Sequence, residues 1–365
     1  MQKGGPDDLT TGKILDDLRL LRERDPGGML ETLASLPEQC EAAWSLGEQA
    51  EVPDFSGVPS HVVVAGMGGS AIGGDLVRIL AEKHAGVPVI VSRGYQLPAF
   101  IDQRCLVFLI SYSGNTEETL CSYDDAGKRK ASRIAVTAGG KLAELAHADG
   151  VPVVKVPPGL PPRSAIGYLF LPVFVILQKM GIFSESISVE ELVTGLKELR
   201  ARMEPASPLS ENPAKQLALR LYGKIPVVYG VSGTTEVVAL RWKGQFNENA
   251  KCLAYWNAFP EMNHNEIVGF EAPEDLLKSL ELVFLRDESD HPRIQARMEI
   301  TKRILRDRVS GISDYWGEGG SFLTRLFSLI YLGDYASVYL ALLYGINPKP
   351  VAVIDYLKRE LAKLP

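Results

Sequence analysis

Apolar and polar positions follow two different rhythms along this chain. Over residues 9–50, Ile14, Leu15, Leu18, Leu20 and Leu21 recur among Asp16, Asp17 and Arg19 at helical spacing, and Pro26-Gly27-Gly28 interrupts the run. That pattern predicts one or two amphipathic helices in an N-terminal helical segment, residues 1–50. The period then changes. A short apolar run at 61–65 ends in Gly66 and precedes a helical pattern over 71–83. Residues 87–92, 105–111, 133–138 and 151–156 read as further strands, with a helix over 116–129 and a long apolar helix after the last of them. Strands alternating with helices predict an α/β fold: a doubly wound parallel sheet with helices on both faces.

Three prolines between Pro205 and Pro213 mark a shift in composition, and a domain boundary is expected there. The expected domains are 51–203 and 204–365. After the boundary the rhythm resumes, with strands expected at 225–231, 251–256 and 280–287, helices at 237–245 and 294–305, and two closing helices over 322–344 and 351–364. The halves are alike in outline, since IPVVYGVSG parallels HVVVAGMGGS and ELVFLRD parallels CLVFLIS. A duplicated domain follows as an expectation.

The 365 residues carry 39 Lys+Arg and 45 Asp+Glu, a net charge of −6 with no long basic tract, which argues against a nucleic-acid binder. The polar, acidic N-terminus lacks the pattern of a signal peptide. The apolar run 168–177 is too short to span a bilayer, and 322–346 carries Arg325 and Asp334, so both read as core helices and no membrane partner is expected. Cys40, Cys105, Cys121 and Cys252 are scattered without a C-x-x-C pair, which suits reduced thiols in a cytoplasmic protein. The five histidines are also dispersed. His264-x-Glu266 matches only the first half of a zinc deaminase signature, and no metal site is expected.

Two segments carry candidate chemistry. Gly66-Met-Gly68-Gly69-Ser70-Ala71 lies where a strand ends and a helix begins, so backbone N–H groups there can approach an anion. The same string fits a tight turn, or a dinucleotide loop. NAD is disfavoured, because Ser92-Arg93 stands where an acid is wanted, while NADP stays open. The second segment, Ser111-Tyr-Ser113-Gly114-Asn115-Thr116, follows another strand and opens another helix. Its hydroxyls and amides can wrap a small phosphate without a lysine, or can simply cap the helix. Two such loops on neighbouring strands favour a phosphate pocket, and the missing G-K-[ST] excludes a nucleotide P-loop.

At this point the chain resembles a known group. GMGGSAIGGD followed by SYSGNTEET is similar to the sugar isomerase (SIS) domain, while PPRSAIGYLF, RWKGQFNENAK and FPEMNHNEIVGF resemble the bifunctional phosphoglucose/phosphomannose isomerase family. The resemblance implies two SIS-like domains and interconversion of glucose 6-phosphate, and of mannose 6-phosphate, with fructose 6-phosphate. It implies Gly68, Gly69 and Ser70 in the first loop and Ser111, Ser113 and Thr116 in the phosphate loop. It implies Arg163 facing the reacting carbons, Glu248 as the base, His264 as the ring-opening residue and Lys358 as its assistant. It further implies a homodimer in which the histidine reaches the site across the subunit interface, with no cofactor.

These residue types suit the chemistry. One carboxylate can move a proton between adjacent carbons, a fixed guanidinium can stabilise the enediolate, and a histidine can open the sugar ring near neutral pH. From position alone, Glu248 is a polar residue near a helix end, His264 lies beside a helix start that its neighbours cap, and Lys358 belongs to a charged helix face. Arg163 follows Pro157, Pro158, Pro161 and Pro162 in a stiff loop. Two other classes stay open: a non-catalytic SIS protein that senses phosphosugars, and an NADP-dependent oxidoreductase using Gly66-x-Gly68 and Arg93.

Overall fold

The computed structural model describes residues 12–364 apart from Asp54, Ser56, Glu185 and Ser186. The first eleven residues of the expected N-terminal helical segment therefore lie outside the described residues. The remainder forms a 3-10 turn, Lys13–Asp16, and three α-helices where one or two were expected: α1 (Leu18–Arg24), α2 (Met29–Ala34) and α3 (Leu36–Gln49). The Asp17 carboxylate accepts the backbone N–H groups of Arg19 and Leu20, which caps α1. The break falls at the Pro-Gly-Gly string, where Gly28 takes φ +66° and the Asp25 carboxylate accepts the N–H groups opening α2.

The first sheet is fully parallel, in the order β2-β1-β3-β4-β5, with β1 (His61–Ala65), β2 (Val89–Ser92), β3 (Cys105–Ile110), β4 (Ser132–Thr137) and β5 (Val153–Lys155). Its helices are α4 (Gly68–His84), α5 (Glu117–Lys128), α6 (Gly140–Ala148), α7 (Ile166–Lys179) and α8 (Val189–Met203). The helix expected from residue 71 starts at Gly68 instead. Its first turn is built from glycine and serine, which leave no apolar period to detect.

The chain continues through α9 (Pro213–Leu221), β6 (Ile225–Val231), α10 (Glu236–Glu248), β7 (Tyr255–Phe259), the short α11 (Glu274–Leu277), β8 (Leu280–Arg286), α12 (Pro292–Leu305) and β9 (Gly311–Trp316). These four strands make a second parallel sheet in the order β7-β6-β8-β9. It repeats the permutation of the first four strands of the other sheet, so the two halves share a topology. The strand expected at 251–256 begins only at Tyr255, because Lys251 takes a left-handed φ of +53° that a strand cannot include. β9 escapes detection because it is an edge strand whose residues are nearly all half-buried, without apolar alternation.

One long helix joins the two halves. α13 (Phe322–Leu343) is the one described helix long and apolar enough to cross a membrane, yet it is buried inside the protein, against α2, α8, α9 and α10. α7 is similarly apolar and packs on α3 and α4. The final helix, α14 (Ala352–Leu361), buries none of its residues and exposes Val353, Tyr356 and Leu357.

The contact between α10 and α13 leaves no room for a side chain at Gly333, where a Cβ would lie 2.1 Å from Trp242 Nε1. Trp242 is fully buried and donates to the Leu329 carbonyl at 2.8 Å, so it cannot turn away without losing that bond. Gly333→Val is expected to cost about 1–3 kcal/mol by overpacking. A thermal melt checks this; an unchanged midpoint would mean that α10 and α13 approach less closely.

Candidate active site

Both expected loops lie at the C-terminal tips of β1 and β3, which are hydrogen-bonded neighbours. In the order β2-β1-β3 the connections leave in opposite directions on either side of this pair, which opens the crevice where doubly wound sheets bind ligands. The first loop is tightly walled. A Cβ at Gly66 would stand 2.9 Å from the Ile110 carbonyl, and one at Gly69 would stand 2.9 Å from the Pro162 carbonyl. Glycine therefore lets the start of α4 touch both β3 and the turn carrying Arg163. Ser70 is buried in the first turn of α4.

In the second loop Ser111 Oγ and Thr116 Oγ1 are 2.8 Å apart. Ser111 Oγ accepts Gly114 N–H at 3.1 Å, and Ser113 Oγ accepts Asn115 N–H at 3.3 Å. Gly114 has φ +71°, and a Cβ there would collide with the Gly139 carbonyl at 1.7 Å. Thr116 occupies the N-cap of α5 but makes no side-chain cap, since its hydroxyl faces Ser111. No side chain therefore caps the first amides of α5, which departs from the simple capping alternative.

Arg163 sits in a single 3-10 turn, Pro162–Ser164, whose leading prolines stiffen the approach. Its side chain is 5% exposed. Nε donates to Asn249 Oδ1 at 2.6 Å, and Nη2 donates to the carbonyls of Pro348 at 2.9 Å and Lys349 at 2.8 Å. Nη1 faces Glu248, whose carboxylate lies 3.7 Å away. Burial pushes the guanidinium below its ordinary pKa, while Glu248 and Asp334 act in the opposite sense. Glu248 closes α10 and remains about a third exposed at 32%. A hollow of about 140 Å³ is lined by Gly68, Gly69, Arg93, Arg163, Lys243 and Glu248 among others. The first loop, the guanidinium and the carboxylate therefore share one space.

Ser70, Ser111, Ser113, Thr116, His264 and Lys358 do not line this hollow within one chain. His264 is the exposed end of a 3-10 turn, Glu261–His264. Its neighbours have other work: Asn263 donates to Thr301, and Asn265 caps the next turn by accepting Glu266 N–H. Lys358 is exposed on α14. Arg93, on which the NADP alternative depends, is ion-paired with Asp75. Among the described residues no group of three or more His, Cys, Asp and Glu side chains is placed to hold a metal ion.

Two residues beside the site, Lys251 and Asp334, lie outside the expected set. Lys251 Nζ donates to the carbonyls of Glu248 at 2.6 Å and Pro348 at 2.9 Å, bracing the end of α10 against the 348–349 loop. Burial and the repulsion of Arg163 lower its pKa to about 8, with Glu248 opposing. Asp334 stands out in the sequence as a lone carboxylate in an apolar helix, which marks a buried partner without naming it.

The Lys251 shift has a thermodynamic signature. Between pH 8 and its ordinary value of 10.5 the unfolded chain holds a proton that the folded chain releases. Stability contributed by this group therefore rises with pH across that window and is level below it. Lys251→Met is expected to flatten that rise. Urea melts of both proteins from about pH 7.5 to 10.5 check the slope; equal slopes would return Lys251 to an ordinary titration.

Comparison with known proteins points one way. The bacterial phospho-glucose isomerase C-terminal SIS domain matches residues 210–361. A bifunctional phosphoglucose/phosphomannose isomerase of Caldicellulosiruptor bescii is 49% identical over 337 residues, covering 92% of this chain and 99% of that one. Its counterpart in Aquifex aeolicus is 40% identical, covering 83% and 90%. A crystal structure of a hypothetical protein from Thermus thermophilus shares the fold, with a TM-score of 0.75 at 18% identity over 97% of this chain and 96% of that one. Identity of this extent along nearly the whole of both sequences decides the matter: the chain belongs to the bifunctional phosphoglucose/phosphomannose isomerase family.

Proposed function

We propose that this protein interconverts glucose 6-phosphate and mannose 6-phosphate with fructose 6-phosphate by proton transfer within the sugar. The observation that carries the reading is the approach of Glu248 to Arg163 Nη1, 3.7 Å apart, over the hollow bounded by Gly68 and Gly69. Glu248 takes the proton from C2 of the open-chain aldose as the electron pair moves onto the C1 oxygen. Arg163 stabilises the resulting enediolate, a proton passes from O2 to O1, and Glu248 returns its proton at C1 to give the ketose. Electrons stay within the sugar, so the reaction calls for no external oxidant. Reprotonation at either face of C2 in the reverse direction gives the two aldose epimers.

The phosphate is held by Ser111, Ser113 and Thr116 with the amides opening α5, and by the loop at Gly68, Gly69 and Ser70. His264 opens the ring and Lys358 assists, both supplied from the second subunit of a homodimer. Support for that assembly comes from exposed apolar side chains on α14 and from Tyr255 and Trp256 on the edge strand β7, which association would cover. The same reading divides the chain at 203–204, so that Glu248 comes from one domain and Arg163 from the other. The free thiols of the four cysteines support a cytoplasmic setting.

Incubation of chelator-treated protein with fructose 6-phosphate, followed by NMR, is expected to yield both glucose and mannose epimers. Binding without turnover would favour a phosphosugar sensor. Glu248→Gln is expected to keep binding but lose exchange of the C2 hydrogen with deuterated water, and continued exchange would remove Glu248 from its role. Replacing Ser113 and Thr116 together by alanine is expected to raise KM about tenfold or more, since each hydrogen bond to a charged group contributes about 1.5–3 kcal/mol. An unchanged KM would place the phosphate elsewhere.

A further inference from the structure

Four polar side chains that the reaction above does not use, Arg241, Asn249, Asp334 and Ser337, are at most 3% exposed. They join Arg163 in a closed ring of hydrogen bonds. Arg163 Nε donates to Asn249 Oδ1 at 2.6 Å, and Asn249 Nδ2 donates to Ser337 Oγ at 2.9 Å. The Ser337 hydroxyl donates in turn to the Asp334 carbonyl at 2.7 Å. The Asp334 carboxylate accepts Arg241 Nε at 3.0 Å and Nη2 at 2.6 Å, together with the Gln245 amide at 2.7 Å. Arg241 Nη2 then donates to the Arg163 carbonyl at 2.9 Å and closes the ring. One arm holds the main chain of Arg163 and the other holds its side chain, and both are rooted in α13.

Counting donors defines what this ring accomplishes. A guanidinium has five N–H groups in one plane. Nε is taken by Asn249, and both hydrogens of Nη2 are taken by the Pro348 and Lys349 carbonyls. Nη1 has only the 3.7 Å approach to Glu248, too long for a hydrogen bond. Its two donors are the part of Arg163 left facing the carboxylate.

We propose that Asn249 is a positioning residue for the isomerisation: it sets the rotation of the Arg163 guanidinium so that Nη1 meets the developing enediolate oxygen. This rests on the role given to Arg163 above. The amide is the group the position requires. Nε can only donate, so it needs an acceptor; the Ser337 hydrogen is engaged with Asp334, so Ser337 needs a donor. Aspartate would set oxygen against oxygen at Ser337 and place a negative charge against the guanidinium. Alanine would leave Nε unpaired and the plane free to turn.

The test is a double-mutant cycle read in kcat and KM for fructose 6-phosphate, with exchange of the C2 hydrogen used to follow slow variants. Asn249→Ala is expected to lower kcat about tenfold or more through misplacement of the guanidinium. KM should stay within about twofold, because the phosphate seat lies on other loops. In an Arg163→Ala background the same substitution is expected to change the residual kcat by less than about twofold, since its effect passes through the missing side chain. An equal loss in both backgrounds, or parental kcat in folded Asn249→Ala, would overturn the proposal. If Asn249→Ala does not fold, Ser337→Ala, which deletes one oxygen from the ring, carries the same comparison: a loss of kcat confined to the Arg163 background supports the proposal, and parental kcat overturns it. Parental kcat in Arg163→Ala alone would instead defeat the role of Arg163, an outcome separable from the failure of Asn249.

Discussion

A cation withdrawn from water has to be compensated, and around Arg163 that requirement brings distant parts of the chain together. Burying a guanidinium without partners would cost several kcal/mol. Here the compensation comes from Asn249 beside the end of α10, from the carbonyls of residues 348 and 349, and at longer range from Glu248. Segments far apart in the sequence are thereby drawn to one charge. A second buried ion pair, Arg241 with Asp334 at 2.6 Å, holds the backbone of the same arginine. An array of this kind is rigid because any movement strands a buried donor or acceptor.

Rigidity at that point suits a reaction whose charge appears only in passing. In the proposed mechanism, a guanidinium held in place before the proton moves stabilises the enediolate without reorganising during the step. Glu248 differs because its surroundings differ. It sits at a helix end, partly exposed and short of hydrogen-bond contact with the arginine, so the carboxylate is not captured in a tight ion pair. The hollow between them is small, and Gly68, Gly69, Arg93 and Lys243 share its lining with the pair.

The duplicated topology has been used unequally. At the tip of β3, Ser111, Ser113 and Thr116 surround the free end of a helix. The related tip of β6 also carries hydroxyls, but they are tied inward. Thr234 donates to Asp290 at 2.6 Å, while Thr235 donates to the Leu285 carbonyl at 2.9 Å and accepts Val231 N–H at 3.0 Å. Glu236, first residue of the following helix, is paired with Arg78 of the other half at 2.6 Å. At one tip the hydroxyls surround a helix start; at the other they are spent within their own half, and the helix that follows pairs with the other half through Glu236.

What could be read from the sequence alone was whatever depends on near neighbours in the chain. Helix and strand periods, the proline-stiffened turn at Arg163 and the glycine and hydroxyl strings after β1 and β3 are local, because turns and helix starts are dictated by residues a few positions apart. The resemblance carried by PPRSAIGYLF and RWKGQFNENAK added which residues to watch. Tertiary structure alone decided which of them meet. No spacing announces that Asn249 would accept from Arg163, that Lys251 would titrate near 8, or that Thr234 and Thr235 would be turned inward. Each of those properties is set by burial and by partners far along the chain, and long-range contacts leave no period behind them.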